Sequence, residues 1–146
     1  MGNIVCATRG GSGSRALQRA AIARAREQGS DLVFLFVVDT SSVEGEEPEL
    51  IRAIHDELRF LGQTLLRVAK KRAAHFQVDA DIVIREGKVK EEIDKFLAES
   101  QAELLLLGAP RGTTETTFGD DVIEQFALTI HRDTGVEVEI IRPSEP

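Results

Sequence analysis

Glu103-Leu104-Leu105-Leu106-Leu107-Gly108 is the stretch whose reading decides the fold. Four leucines between an acid and a glycine are too short a run for a helix. They suit a strand buried on both faces. Gly108, Gly112 and Gly119 punctuate the loop after it, and Val122, Ile123, Phe126, Ala127 and Ile130 then recur at helical spacing. Strand, glycine loop and helix in succession offer main-chain N–H groups and a positive helix end to an anion. This helix is read as opening with Asp120-Asp121, so two carboxylates stand where a phosphate is expected.

Working outward, residues 3–8 read as a short buried strand and residues 9–13 as a loop. Ser12 or Ser14 can cap the next helix. On that helix Ala16, Ala20 and Ala23 share a face, with Leu17 beside it, and small residues let it lie close to a sheet. Gly29 suits the stop. Residues 32–38 form a second continuous apolar run, and residues 39–48, rich in turn formers and acids, read as a mobile loop. From about Glu49, Ile51, Ile54, Leu58, Leu61, Leu65 and Val68 alternate steps of three and four. That seam spans too few heptads for a coiled coil and is assigned to packing on the sheet. Residues 78–84 read as a third strand, with Gly87 ending its loop. Val89, Ile93, Phe96 and Leu97 mark a third helix, and residues 136–141 a fifth strand.

Strands alternate with helices throughout one domain, residues 1–146. That order calls for an α/β fold: a parallel sheet with right-handed crossovers and helices on both faces, three layers in all. Ligands on such sheets sit beyond the carboxyl ends of the strands, where the strand order reverses. Residues 8–13, 38–39 and 108–121 fall at that edge.

Composition narrows the function. Eighteen Lys+Arg against 25 Asp+Glu give a net charge of −7, which disfavours nonspecific nucleic-acid or anionic-membrane binding. Cys6, the one cysteine, excludes a disulfide framework and a multi-thiolate metal site, and its apolar neighbours mark it as an inert buried thiol. No apolar run approaches the roughly 20 residues that span a bilayer. The chain enters a strand directly, with no signal peptide, so a reducing cytoplasmic setting is expected.

The pieces Ile4-Val5-Cys6-Ala7-Thr8 leading to Gly10, Val37-Val38-Asp39, Gly87 with Val89, Ala102 to Gly108 and Ile140-Ile141-Arg142-Pro143 occur in an order and spacing that resembles the universal stress protein family. The likeness covers nearly the whole chain. It implies a five-stranded parallel sheet in the order 3-2-1-4-5 with four helices, of the adenine-nucleotide alpha-hydrolase type. It also implies homodimers that pair their last strands, and roles in stress survival without a defined catalytic step. Nucleotide-binding members carry an acid after the first strand. After the fourth they carry glycine, two residues, glycine, nine residues, then glycine with Ser or Thr. Here Arg9 takes the place of the acid, three residues separate Gly108 from Gly112, six separate Gly112 from Gly119, and Asp120 comes next. The expected cleft is framed by Thr8, Arg9, Gly10, Val38, Gly108, Arg111, Gly112, Gly119 and Asp120, with Val38 offering backbone groups to adenine by family analogy.

Asp120 and Asp121 have two readings. Asp121 with Glu124 approximates a capping box, which is favoured, and the acids also exclude a triphosphate or bind a cation. Arg9 and Arg111 either clamp an anion or, the favoured reading, pair with Asp39, Asp120 or Asp121. Gly11-Ser12-Gly13-Ser14-Arg15-Ala16 fits a dinucleotide fingerprint, but its glycines begin several residues past the strand and Asp39 lies 26 residues beyond Gly13. Arg15, Arg19 and Arg26 read as a solvated flank, and Thr113, Thr114, Thr116 and Thr117 as turn formers that could also offer hydroxyls. His55, His75 and His131 lack metal-ligand spacing, and no Ser or Cys sits in a nucleophile turn. Val136, Val138 and Ile140 alternate with acids on an expected edge strand, which invites an isologous homodimer unless Glu137 and Glu139 keep the edge single.

The reading is therefore a non-catalytic regulatory or interaction protein of the stress response, with no certain cofactor and with weak or absent ATP binding. The alternative is a genuine ATP, ADP or AMP binding module. A homodimer and a protein partner are expected, and neither nucleic acid nor membrane.

Overall fold

The computed structural model describes residues 3–8, 14–40, 45, 47–108 and 118–142. Within them run β1 (Asn3–Ala7), α1 (Ser14–Gln28), β2 (Asp31–Asp39), α2 (Pro48–His75), β3 (Ala80–Gly87), α3 (Val89–Ser100), β4 (Ala102–Gly108), α4 (Phe118–Thr134) and β5 (Glu137–Ile141). The strands form one parallel sheet in the order β3-β2-β1-β4-β5. This is the expected α/β fold.

Side chains alternate across the sheet and feed two cores. Ile4, Cys6, Phe34, Phe36, Leu104 and Leu106 meet α1 and α2 on one face. Val5, Val33, Leu35, Leu105 and Leu107 meet α3 and α4 on the other. The four leucines of β4 are 7%, 0%, 0% and 4% exposed, the two-sided burial that the unbroken apolar run requires. Cys6 is fully buried, which pushes its thiol pKa far up and leaves it inert.

Several boundaries and faces differ from the sequence reading. On α1 the sheet takes Leu17, Ala21, Ile22 and Ala25, while Ala16 and Ala20 are half-buried and Ala23 is exposed. The larger residues turn the helix, because burying Leu17 and Ile22 removes more apolar area from water than burying alanines. Gln18 goes in with them and accepts a hydrogen bond from Arg72 of α2 at 2.5 Å. Gly29 does stop α1: it takes φ +65°, and the Ser30 N–H closes on the Ala25 carbonyl at 3.1 Å.

β3 starts two residues later than expected and runs on to Gly87. The charged Arg85 and Glu86 sit in this edge strand because partners meet them, Glu99 at 2.5 Å for Arg85 and Arg59 for Glu86. α2 buries Gly62, Leu66, Ala69 and Ala73, so the seam read from the sequence is rotated and Leu61 and Val68 lie outside. On α4, Ile123, Ala127 and Ile130 are buried, but Val122 is 67% exposed. Of the loop expected at residues 39–48, Asp39 belongs to β2 and Pro48 to α2, and residues 41–44 and 46 lie outside the described residues.

Candidate functional site

The strand order reverses between β1 and β4, since β2 leaves β1 on one side and β4 on the other. The site is built from the carboxyl ends of these three strands. β1 pairs Ala7 with Leu35 and with Leu107, which sets Thr8 at the mouth of the crevice, in line with Gly108. The Thr8 N–H donates to the Leu35 carbonyl at 2.9 Å, the last rung of that ladder. Its side chain is 1% exposed, and its hydroxyl has no hydrogen-bond partner among the described residues. A buried hydroxyl without a partner costs about 1–3 kcal/mol, so such groups commonly mark where something else binds.

The same rung fixes the parity of β2. In a parallel ladder a residue turns its N–H and C=O toward the same neighbour, and successive residues alternate. Because the Leu35 carbonyl faces β1, the main-chain groups of Val37 face β1 as well, and those of Val38 face β3. β1 ends its pairing at Ala7, so the β1-facing groups of Val37 lie past that last rung. The Val38 side chain is packed in the α1/α2 core. Sequence reasoning passed over Val37, because parity follows from the β1–β2 register and no residue pattern announces it.

Gly108 serves close packing. A Cβ there would lie 3.3 Å from Cδ2 of Leu17, so the glycine lets α1 approach β4 where the crevice opens. α4 begins at Phe118, two residues before the expected opening. Gly119 is thus its second residue, and Asp120 and Asp121 belong to its first turn, so Asp121 does not precede the helix as the expected capping box with Glu124 requires. Arg9, Gly10, Arg111 and Gly112 lie outside the described residues, as do the four loop threonines and both glycines of the dinucleotide fingerprint. Among the described residues, no three His, Cys, Asp or Glu side chains group as metal ligands.

β5 is the free edge beside β4, as the sequence suggested. Val138 and Ile140 are half-buried against the α3/α4 core, and Val136 packs there just before the strand. Glu139 points to the opposite face and accepts two hydrogen bonds from Arg24 of α1, at 2.7 and 2.8 Å. His131, near the end of α4, places Nδ1 2.8 Å from the Val136 carbonyl and so ties the helix to the approach to β5.

The sequence pattern of the universal stress protein family matches residues 1–141. Among curated proteins no relative matches the chain. Solved structures do. A universal stress family protein from Burkholderia pseudomallei is 23% identical, with 98% of this chain and 96% of that one covered at a TM-score of 0.73. UspA from Lactobacillus plantarum is 18% identical, with 97% of each chain covered at 0.81. A universal stress protein solved in complex with cAMP is 19% identical, with 98% of each covered at 0.69. With its sheet order and a family match over almost all of its length, the chain belongs to the universal stress protein family.

Proposed function

We propose that this chain is a non-catalytic, cytoplasmic regulator of the stress response that pairs through β5 and whose crevice takes an adenine mononucleotide in preference to ATP. The observation that carries this reading is the Thr8 hydroxyl, buried and without a partner among the described residues, beside a strand end where Val37 turns its main-chain groups past the last rung of β1. A donor–acceptor pair on a backbone suits the amino and ring-nitrogen edge of adenine, and an orphan hydroxyl suits a ribose or phosphate oxygen. One protein of the same fold is solved with cAMP, which supports the ligand class.

The phosphate side argues against a triphosphate. Asp120 and Asp121 lie in the first turn of α4, and the whole chain carries a net charge of −7. Two unit charges about 4 Å apart repel by about 1 kcal/mol in water and about 4 kcal/mol at a surface-like dielectric. Each added phosphate increases that opposition. The alternative is a genuine ATP module, in which a divalent cation bridges the acids and the γ-phosphate.

Calorimetric titration of nucleotide-stripped protein with AMP, cAMP and ATP, each with and without Mg²⁺, tests the reading. AMP or cAMP is expected to bind at least about tenfold more tightly than ATP, a difference of about 1.4 kcal/mol. Asp120→Asn should narrow that gap from the ATP side. Micromolar ATP binding with Mg²⁺ that equals or exceeds AMP binding overturns the reading and establishes the alternative. Turnover of any of the three nucleotides that is lost in Asp120→Asn overturns the non-catalytic role.

A further inference from the structure

The later turns of α1 and the end of α2 border a groove of about 710 Å³, lined by Arg19, Ile22, Ala23, Arg26, Glu27 and Phe76. Chain direction sets its place. A helix joining two parallel strands runs back against them, so the end of α1, before β2, and the end of α2, before β3, both lie at the amino edge of the sheet. Thr8 and Gly108 lie at the opposite edge. On α1 the lining residues recur at steps of three and four and so share one side of the helix. Ile22 is buried beneath the groove, Ala23 is exposed, and Phe76 is 48% exposed. The ring of Phe76 is held in place by its main chain. Its N–H donates to the Ala73 carbonyl at 3.0 Å, and the Val78 N–H donates to the same carbonyl at 2.9 Å.

The arginines set the chemistry. Arg24 and Arg72, on the same two helices, are committed to Glu139 and Gln18. Arg19 and Arg26, read from the sequence as part of a solvated flank, have neither an ion pair nor a hydrogen bond among the described residues. Seven residues apart, they are separated by about 10 Å along the axis and point within about 20° of the same direction. Their surroundings reinforce them. Residues 14–26 and 58–78 contain nine Lys or Arg and no Asp or Glu, so this side is locally positive on a chain of net charge −7. Among the described residues Glu27 is the one acid on the lining.

We infer that the groove binds an amphipathic organic anion with a single carboxylate head and an elongated apolar body. Arg19 and Arg26 hold the head through charge-assisted N–H···O bonds, and Ile22, Ala23 and Phe76 cover the body. The volume falls within the roughly 300–1,000 Å³ of small-molecule sites. The lining runs from Arg19 to Glu27, about 12 Å of helix, which suits a linear body. Glu27, next to Arg26, opposes a second anionic group, so a dianion fits less well. The inference needs nothing from the nucleotide reading, because the two sites lie at opposite edges of the sheet.

Calorimetric titration with sodium dodecanoate below its micelle concentration tests it. One dodecanoate per chain is expected to bind. Arg19→Gln/Arg26→Gln should weaken it at least about tenfold, and Phe76→Ser about threefold. Dodecylammonium, with the same body and the opposite charge, and acetate, with the same head and no body, should not bind measurably. Dodecanedioate should bind more weakly than dodecanoate. Phe60→Ser, on the outer face of α2, should leave binding unchanged, which separates the groove from a merely apolar surface. Circular dichroism checks that each variant is folded. The inference is overturned if dodecanoate does not bind, if the folded double arginine variant binds it as tightly as the natural chain, or if dodecylammonium binds equally well. Self-association of the natural chain that disappears in the double arginine variant would assign the groove to a second copy and overturn it too.

Discussion

α3 buries Ile93, Phe96 and Leu97 and half-buries Val89, whereas α2 leaves Leu61 and Val68, two of the six residues of its seam, in solvent. Ile93, Phe96 and Leu97 are 2%, 8% and 1% exposed, and Val89 packs at the margin of the same core. α2 carries Leu58 and Leu65 half-inside, and Leu50, Phe60, Leu61 and Val68 outside. Length is one cause. A 28-residue helix is about 42 Å long, and the nine-residue β2 beneath it is about 30 Å. Close approach is the other. The helix touches the sheet at Gly62, where an added Cβ would come within 2.5 Å of Phe36 and 3.0 Å of Ile84. Docking on that glycine and on Ala69 and Ala73 turns the leucine line sideways. The difference teaches that an apolar seam on a helix marks what is available for burial, and the neighbouring layer decides how much is taken.

Four measurements press on this contrast. Leu97→Ala should show the largest effect, a loss of about 2–5 kcal/mol in chemical denaturation, because α3 has no slack to refill the cavity. Gly62→Ala comes next at about 1–3 kcal/mol, since Phe36 and the α2 backbone must part to admit the methyl group. A neutral result there would show that the rotation of α2 has some other cause. Phe60→Ser should change stability by no more than about 0.5 kcal/mol, which separates the exposed face of α2 from its buried face. A stability loss as large as that of Leu97→Ala would mean that the outer face of α2 is structural after all.

The smallest effect concerns the ion pairs flanking α3. Arg85 lies over the Phe96 ring at 5.2 Å and donates to Glu99, which holds the Glu99 carboxyl below its ordinary pKa. A carboxylate with a depressed folded-state pKa stabilises above its unfolded value, about 4.3, and that contribution is lost as pH falls through the lower folded value. Stability should therefore decline below about pH 4.3, and Arg85→Met should flatten that part of the profile. An unchanged profile would show that the pair contributes nothing, as many exposed pairs do.

Much of the fold was legible. The leucines of β4, the apolar run of β2 and the Ile93-Phe96-Leu97 group name their own surroundings, because each pattern fits one burial class. Gly29 named its helix stop, since a positive φ is most easily taken by glycine. Less of the site was legible. Thr8 and Gly108 lie at the carboxyl ends of β1 and β4, where the βαβ order sends strand ends. Which way the Val37 main chain faces was not legible, because it follows from the β1–β2 register, and α4 starts two residues before the expected opening.

What the residues determined by themselves is the kind of protein this is: alternating strands and helices, a two-sided sheet, and a crevice at its carboxyl edge. Those features follow from local hydrophobic period, which each segment carries alone. The tertiary structure decided which way main-chain groups face, which stripe of α1 and α2 is buried, and that a hydroxyl at Thr8 is left without a partner among the described residues. Those depend on the register of one strand against another and on the distance between layers. Both are set by contacts between segments far apart in sequence, so neither leaves a mark on any one of them.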